Sequence, residues 1–236
     1  MVFLAPDQPL GVSAFDAVLF DLDETLCRRT QDTAAMYAAT FEHVDVTPFG
    51  EPADLWAALD GPPDHDDWTG YIGAGFARLA AQHGRTEVDP LALAAALRES
   101  VDDAAVEFTE GASAALDSAA ACGAVGVVTN GPKVRQEPKL RTLGVVERFD
   151  SVVYAADLRR KKPHALPFQR ALAELGVSAE RALYVGDTLE YDVAGAQNAG
   201  IPVAWLRTEE GAADPYAPEY VIDSLSELPA ILEGER

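Results

Sequence analysis

Cysteine and histidine are scarce in this chain of 236 residues. The two cysteines, Cys27 and Cys122, form neither a metal-binding nor a redox spacing, which excludes a disulfide scaffold and points to a reducing cytoplasm. The four histidines (43, 65, 83 and 164) are scattered, so no histidine-rich metal centre is encoded. Lysine is just as rare, at positions 133, 139, 161 and 162 only. Long apolar runs are also missing. The longest stretch of apolar residues or glycine, Ala119 to Val128, is ten residues, about half of a membrane span. Met1 to Leu10 holds no Lys or Arg and no signal-peptide hydrophobic region. These absences predict a protein that is neither membrane-bound nor exported.

Acid is abundant. Asp and Glu total 39 against 18 Lys and Arg, a formal net charge of −21 and a pI near 4.4. Such a surface repels phosphate backbones, which argues against a nucleic-acid partner. An acidic, alanine-rich and lysine-poor composition fits a halophilic cell interior, where salt screens the self-repulsion; an acidic mesophile is the alternative. Hydrophobic residues at 48% and charged residues at 24% are ordinary for a globular chain, and the length suffices for a full core. Oligomeric state leaves no trace in the sequence.

The first strong element is the apolar run Phe15 to Phe20, which ends in Asp21-Leu22-Asp23-Glu24-Thr25 and reads as a buried strand with an acidic loop. Residues 31–44, 53–59, 67–83 and 90–107 then show helical spacing with no convincing strand, divided at Gly50-Glu-Pro52, Gly61-Pro-Pro63 and Gly84. Beyond Gly111 the pattern alternates. Helices are predicted over 112–121, 133–143, 165–175, 190–199 and 224–232, and strands over 124–129, 151–155, 182–186, 202–206 and 220–222, with Gly176 as a helix cap. This predicts an α/β fold with a doubly wound parallel sheet, built from 1–27 and 109–236, and a helical insertion of 28–108 after the first strand.

In such a sheet, chemistry gathers at the carboxyl ends of the strands. Four strand ends carry unusual residues. Asp21 and Asp23 are two apart and tend to share a face. One carboxylate can attack phosphorus to form an acyl-phosphate while the other moves protons to the leaving oxygen and from water. The alternative is a strand followed by an acidic helix cap, with Asp23 or Thr25 satisfying backbone N–H groups. Thr129-Asn130-Gly131 closes the strand 124–129 with a hydroxyl and exposed amides suited to phosphoryl oxygens, or is an ordinary Asn-Gly turn. Arg159-Arg-Lys161-Lys162 offers a point charge from Lys162 beside an anionic nucleophile, or is a solvated basic loop. Asp187 ends the strand 182–186, and Asp192 follows on the next helix. Mg²⁺ prefers one or two carboxylates with water and substrate phosphate, which Asp21 and Asp187 can supply. The alternative for Glu190 and Asp192 is complementation of a helix dipole.

The four motifs in this order resemble the haloacid dehalogenase-like hydrolase superfamily, from about residue 15 to about 206. The resemblance implies a Rossmann-like core with a C1-type cap over 28–108. It also implies Asp21 as nucleophile, Asp23 as general acid/base, Thr129, Asn130, Gly131 and Lys162 at the phosphate, and Lys162 as the charge-stabilising lysine as well. The Mg²⁺ would be held by Asp21, Asp187 and the Asp23 backbone carbonyl, with Asp192 behind them. Thr129-Asn-Gly131 with Gln136 and Lys139-Leu-Arg-Thr-Leu-Gly144 is similar to the subgroup of pyrimidine 5′-nucleotidases and N-acylneuraminate-9-phosphatases. The chain departs from the pattern at Ala156, Arg159 and Arg160 before the lysine, where small residues are usual. It departs again at His164-Ala165, which replaces Asp-Pro after Pro163.

The implied activity is Mg²⁺-dependent hydrolysis of a small anionic phosphorylated metabolite. Asp23 argues against dehalogenation, since a halide leaving group needs no proton, and the lack of lysine in 28–108 argues against phosphonate hydrolysis. A phosphomutase on the same scaffold and a non-catalytic phospho-acceptor module are the remaining alternatives. Ten of the eighteen basic residues fall at Arg28, Arg29, Lys133, Arg135, Lys139, Arg141 and 159–162, just after three of the motifs, which predicts a positive collar that draws in an anion. Trp56, Trp68, Tyr71 and Phe76 are either a stacking surface for substrate or, more commonly for such a stripe, core.

Overall fold

A computed structural model of the chain describes residues 14–60, 67–208 and 211–234. The elements begin with β1 (Ala17–Phe20), β2 (Cys27–Arg29), α1 (Thr33–His43), α2 (Pro52–Ala57), α3 (Trp68–Gln82), α4 (Pro90–Ser100) and β3 (Val106–Phe108). They continue with α5 (Ala112–Cys122), β4 (Ala124–Thr129), α6 (Lys133–Thr142), β5 (Ser151–Tyr154), α7 (Leu166–Leu175) and β6 (Ala182–Gly186). Last come α8 (Ala194–Ala199), β7 (Val203–Leu206), β8 (Tyr220–Ile222) and α9 (Leu228–Leu232). The described residues form two compact units. One comprises the chain up to Arg28, Phe108–Lys133 and the chain from Leu143; the other comprises Arg29–Glu107 and Val134–Thr142.

The first unit is built on a six-stranded sheet of order β5-β4-β1-β6-β7-β8 in which every neighbouring pair is parallel. Parallel strands covered on both faces read as unbroken apolar runs, and all four residues of β1 are fully buried. Phe20 lies opposite Val127 on one side and Val185 on the other. The chain therefore leaves three adjacent strands at nearly one level, and Asp21, Thr129 and Asp187 follow those partners within two residues. Tyr184, Phe168, Leu19, Val128 and Val203 share one apolar cluster. Helix α7 turns Phe168, Ala171 and Leu172 inward and ends at Gly176, whose φ of 68° is a left-handed cap that suits glycine.

The second unit has its own core, with Tyr37, Phe41, Phe49, Leu55, Ile72, Phe76, Leu79, Leu93 and Leu97. Tyr37 and Phe41 meet edge to face at 5.0 Å, and the Tyr37 hydroxyl donates to the Phe49 carbonyl at 3.0 Å. Asp32, Asp67 and Asp89 cap α1, α3 and α4 by accepting backbone N–H bonds, so part of the chain's acid serves helix starts. Phe76 is core, Trp68 and Tyr71 pack against that core, and Trp56 is about half exposed.

Four local expectations are corrected. The stretch 28–108 is not free of strands: β2 and β3 pair as a two-stranded ribbon. The helix predicted over 90–107 stops at Ser100. The Ser100 hydroxyl turns back to the Leu97 carbonyl, and the Asp102 carboxylate takes the Ala104 N–H and bends the chain toward β3. The helix predicted over 190–199 opens as a π-turn over Leu189–Val193 before α8, and that over 224–232 opens as a 3₁₀ turn capped by Ser224 and Glu227. The break at Gly61-Pro-Pro63, His65 and the segment Met1–Leu10 lie outside the described residues.

Candidate active site

Asp21 follows the central strand, its N–H donating to the Val185 carbonyl at 2.9 Å and its side chain almost wholly buried. The Lys162 ammonium donates to Asp21 Oδ1 at 2.6 Å, to Asp192 Oδ1 at 2.7 Å and to the Tyr184 hydroxyl at 3.1 Å. Lys162, rather than its neighbour Lys161, is thus the lysine of the cluster. Its main chain is held as well. The Asn130 side chain accepts the Lys162 N–H at 2.9 Å and donates to the Lys162 carbonyl at 3.2 Å, stitching the loop after β4 to the loop before α7. The Lys162–Pro163 peptide is cis. His164, where the family usually has Asp, accepts the Leu166 N–H through Nδ1 at 3.1 Å and starts α7.

Asp187 is oriented from two sides. The Thr25 hydroxyl donates to its Oδ1 at 3.0 Å, and the Trp205 indole N–H donates to its carbonyl at 2.7 Å. Asp192 reaches the same place because the π-turn widens the start of the helix. Its Oδ2 takes the Thr188 N–H at 3.0 Å, while its Oδ1 takes both Lys162 and Tyr184. The approach is so close that a Cβ at position 186 would lie 2.5 Å from the Asp192 carboxyl carbon, which is why Gly186 precedes Asp187. Asp192 is no surface dipole acid; it is 1% exposed.

Thr129 is buried at the end of β4, and its Oγ1 accepts the Gly131 N–H at 3.3 Å. Asp23 is half-buried in the turn after β1, where it bridges to Cys27, and Glu24 beside it holds a left-handed φ of 59°. Asp21, Asp187 and Asp192 each offer a carboxylate oxygen, and the three oxygens lie within 4.8 Å of one another. Three acids against one ammonium leave this cluster net negative. Burial pushes the Asp21 carboxyl well above the usual range; Lys162 pulls it down, and Asp192 and Asp187 add to the rise. Burial and then Asp192 push Asp187 up to about 6, against the Thr25 bond. For Lys162, burial disfavours the charge, but Asp192 and Asp21 outweigh it and hold the ammonium protonated. Burial and the same acids raise Tyr184, so it remains a neutral phenol.

Tyr184, Thr25 and Trp205 are the partners that sequence reasoning missed as functional. A signal existed for the first: Tyr184 is the one hydroxyl in the otherwise aliphatic strand Ala182–Gly186. The collar is corrected. Arg135 makes a two-point pair with Asp103 at 3.0 Å, Arg29 reaches the same acid at 3.7 Å, Arg141 pairs with Glu137, and Lys162 is spent on Asp21 and Asp192. These four of the ten clustered basic residues are therefore neutralised locally.

Residues 18–206 match the family described as haloacid dehalogenase-like hydrolase. The chain belongs to that family. It is 30% identical to the pyrimidine 5′-nucleotidase YjjG of Escherichia coli over 92% of this chain and 98% of that protein. Among solved structures, a HAD phosphatase from Thermococcus onnurineus superposes with a TM-score of 0.69 at 23% identity, covering 94% of this chain and all of the other. A 2-haloacid dehalogenase from Pseudomonas syringae superposes with a TM-score of 0.60 at 28% identity, again over 94% and 100% of the two chains. The protein is a hydrolase of this family, with its acidic cluster at the carboxyl ends of β1 and β6.

Proposed function

We propose that the chain is a Mg²⁺-dependent phosphatase that hydrolyses small phosphate monoesters through an aspartyl-phosphate at Asp21. The observation that carries this reading is the buried contact of 2.6 Å between Lys162 Nζ and Asp21 Oδ1, with Asp187 in the same cluster. A buried carboxylate beside a fixed cation is an unsolvated nucleophile, and the cation favours its ionised form against the rise that burial imposes. The donor set is entirely hard oxygen, which suits Mg²⁺. Asp21 and Asp187 are the residues to hold it, because both oxygens of Asp192 are engaged by Lys162, Tyr184 and Thr188. Bound there, Mg²⁺ would neutralise charge on the transferring phosphoryl group.

Attack by an Asp21 oxygen on phosphorus forms the acyl-phosphate and breaks the bond to the leaving oxygen. Asp23 gives that oxygen a proton, then takes one from the water that hydrolyses the intermediate. Thr129 and the backbone N–H groups of Asn130 and Gly131 receive phosphoryl oxygens, with the Asn130 side chain reserved for Lys162. The helical insertion 28–108 is proposed as the C1-type cap that selects substrate. The nucleotidase relative makes nucleoside monophosphates the first substrates to test. Likeness to a dehalogenase supports a second reading, which Asp23 opposes, since a halide needs no proton. The acidic, lysine-poor composition supports a cytoplasmic setting of high salt.

The test is phosphate release from a panel of phosphorylated metabolites, with Mg²⁺ or chelator, in dilute and multimolar KCl. Halide release from 2-chloropropionate is assayed beside it. Metal-dependent phosphate release without halide release supports the reading, and the opposite pair of results overturns it.

A further inference from the structure

Tyr184 is fully buried on β6, its ring edge-on to Phe168 at 4.9 Å. Phenylalanine would fill that space, and a buried hydroxyl is costly unless it is bonded. Here the oxygen meets Asp192 Oδ1 at 2.8 Å, Lys162 Nζ at 3.1 Å and the Val128 carbonyl at 3.2 Å. An ammonium only donates, so the phenol accepts from Lys162 and gives its own hydrogen to an oxygen, the shorter contact being Asp192. A lysine has three N–H donors. Asp21, Asp192 and Tyr184 supply three acceptors, so the protein itself fills the ammonium's hydrogen-bonding capacity.

We infer that Tyr184 is a positioning residue for the reaction. By taking the third hydrogen of Lys162 it fixes the ammonium against Asp21 Oδ1 and Asp192 Oδ1, so that its charge stays beside the nucleophile. Among the described residues, the Asp21 carboxylate takes its hydrogen bond through Oδ1, which leaves Oδ2 to attack phosphorus. The role of Tyr184 in turnover rests on the phosphatase reading; its hold on Lys162 does not.

Tyr184→Phe removes one oxygen from a packed ring. With p-nitrophenyl phosphate and Mg²⁺, kcat falls roughly tenfold, the size of one lost hydrogen bond to a charged group, while KM stays within about twofold. In a Lys162→Met background the same change costs nothing further, because the group it positions is gone. Equal losses in both backgrounds, or no loss in either, overturn the inference. A second measurement needs no turnover. The chain has four lysines, so ¹⁵N-lysine labelling yields few ammonium signals, assigned by Lys→Arg variants. The Lys162 ammonium should exchange its hydrogens slowly in the wild type and faster in Tyr184→Phe. A fast-exchanging Lys162 in the wild type overturns the inference even if the variant fails to fold. A wild type that hydrolyses no phosphate ester defeats the phosphatase reading and leaves the ammonium measurement to decide the tyrosine.

Discussion

Removing the Lys162 charge should separate what this lysine does for the fold from what it does for the metal. In Lys162→Met the side chain keeps an apolar body of similar length, but Asp21 and Asp192 lose the cation that lies 2.6 Å and 2.7 Å from their oxygens. Two unit charges about 3 Å apart interact by roughly 5 kcal/mol at an effective dielectric near 20. Deleting one partner of a buried pair typically costs about 3–5 kcal/mol, because the other is left uncompensated. For a chain of this size that corresponds to a fall in Tm of about 6–20 °C in the metal-free protein. The loss depends on pH. Asp187 already titrates near 6, and Asp21 is raised further without the lysine. Acids with raised folded pKa values are penalised once ionised, so the variant's deficit is largest above those values and shrinks as the pH falls through them. Mg²⁺ should act in the opposite direction. A more negative cluster binds a cation more tightly, so the Mg²⁺-induced rise in Tm should be larger in the variant than in the wild type. Calorimetry at pH 5 and 8, with chelator and with Mg²⁺, reads all four quantities. An unchanged metal-free Tm, or a smaller Mg²⁺ shift in the variant, would refute the electrostatic account of the cluster.

Asp187→Ala should weaken Mg²⁺ binding so that excess metal restores part of the rate; an unaltered Mg²⁺ dependence would remove Asp187 from the metal. Because Asp187 is pushed up to about 6, a proton competes with the metal below that pH. Mg²⁺ affinity measured by titration calorimetry should fall as the pH drops from 7 to 5. Phe76→Ala empties a fully buried site at the centre of the second unit's core and should cost about 3–5 kcal/mol, read as loss of hydrogen-exchange protection in that unit first. Protection lost equally in both units would contradict their separate cores.

Most of the sheet was legible because its strands are buried on both faces and appear as short apolar runs closed by Asp21, Thr129 and Asp187. The candidate site was legible for the same reason: a carboxylate or hydroxyl directly after a buried strand is conspicuous. Contacts made through space left no such mark. Asn130 looked like a turn residue or a phosphate ligand, and only the fold shows its amide closing on the Lys162 main chain from 32 residues away. Asp192 resembled a helix-start acid because helical spacing assumes 3.6 residues per turn; the π-turn over Leu189–Val193 alters the angle and carries it inward. Strands β2 and β3 were hidden because three residues each are too few to set a period. The basic clusters were visible, but their partner Asp103 was not, since sequence does not reveal which acid faces which base.

The covalent intermediate is the centre of the account, and Asp23→Asn tests it most directly. With p-nitrophenyl phosphate the leaving group needs little protonation, so Asp21 should still be phosphorylated at a useful rate. Hydrolysis lacks its base and should become slow. Rapid acid quench followed by intact mass measurement and peptide mapping should then find one added phosphoryl group on Asp21, with steady-state turnover reduced on the order of a hundredfold or more. Turnover at the wild-type rate, or a slow variant that never accumulates phosphoenzyme, would contradict it.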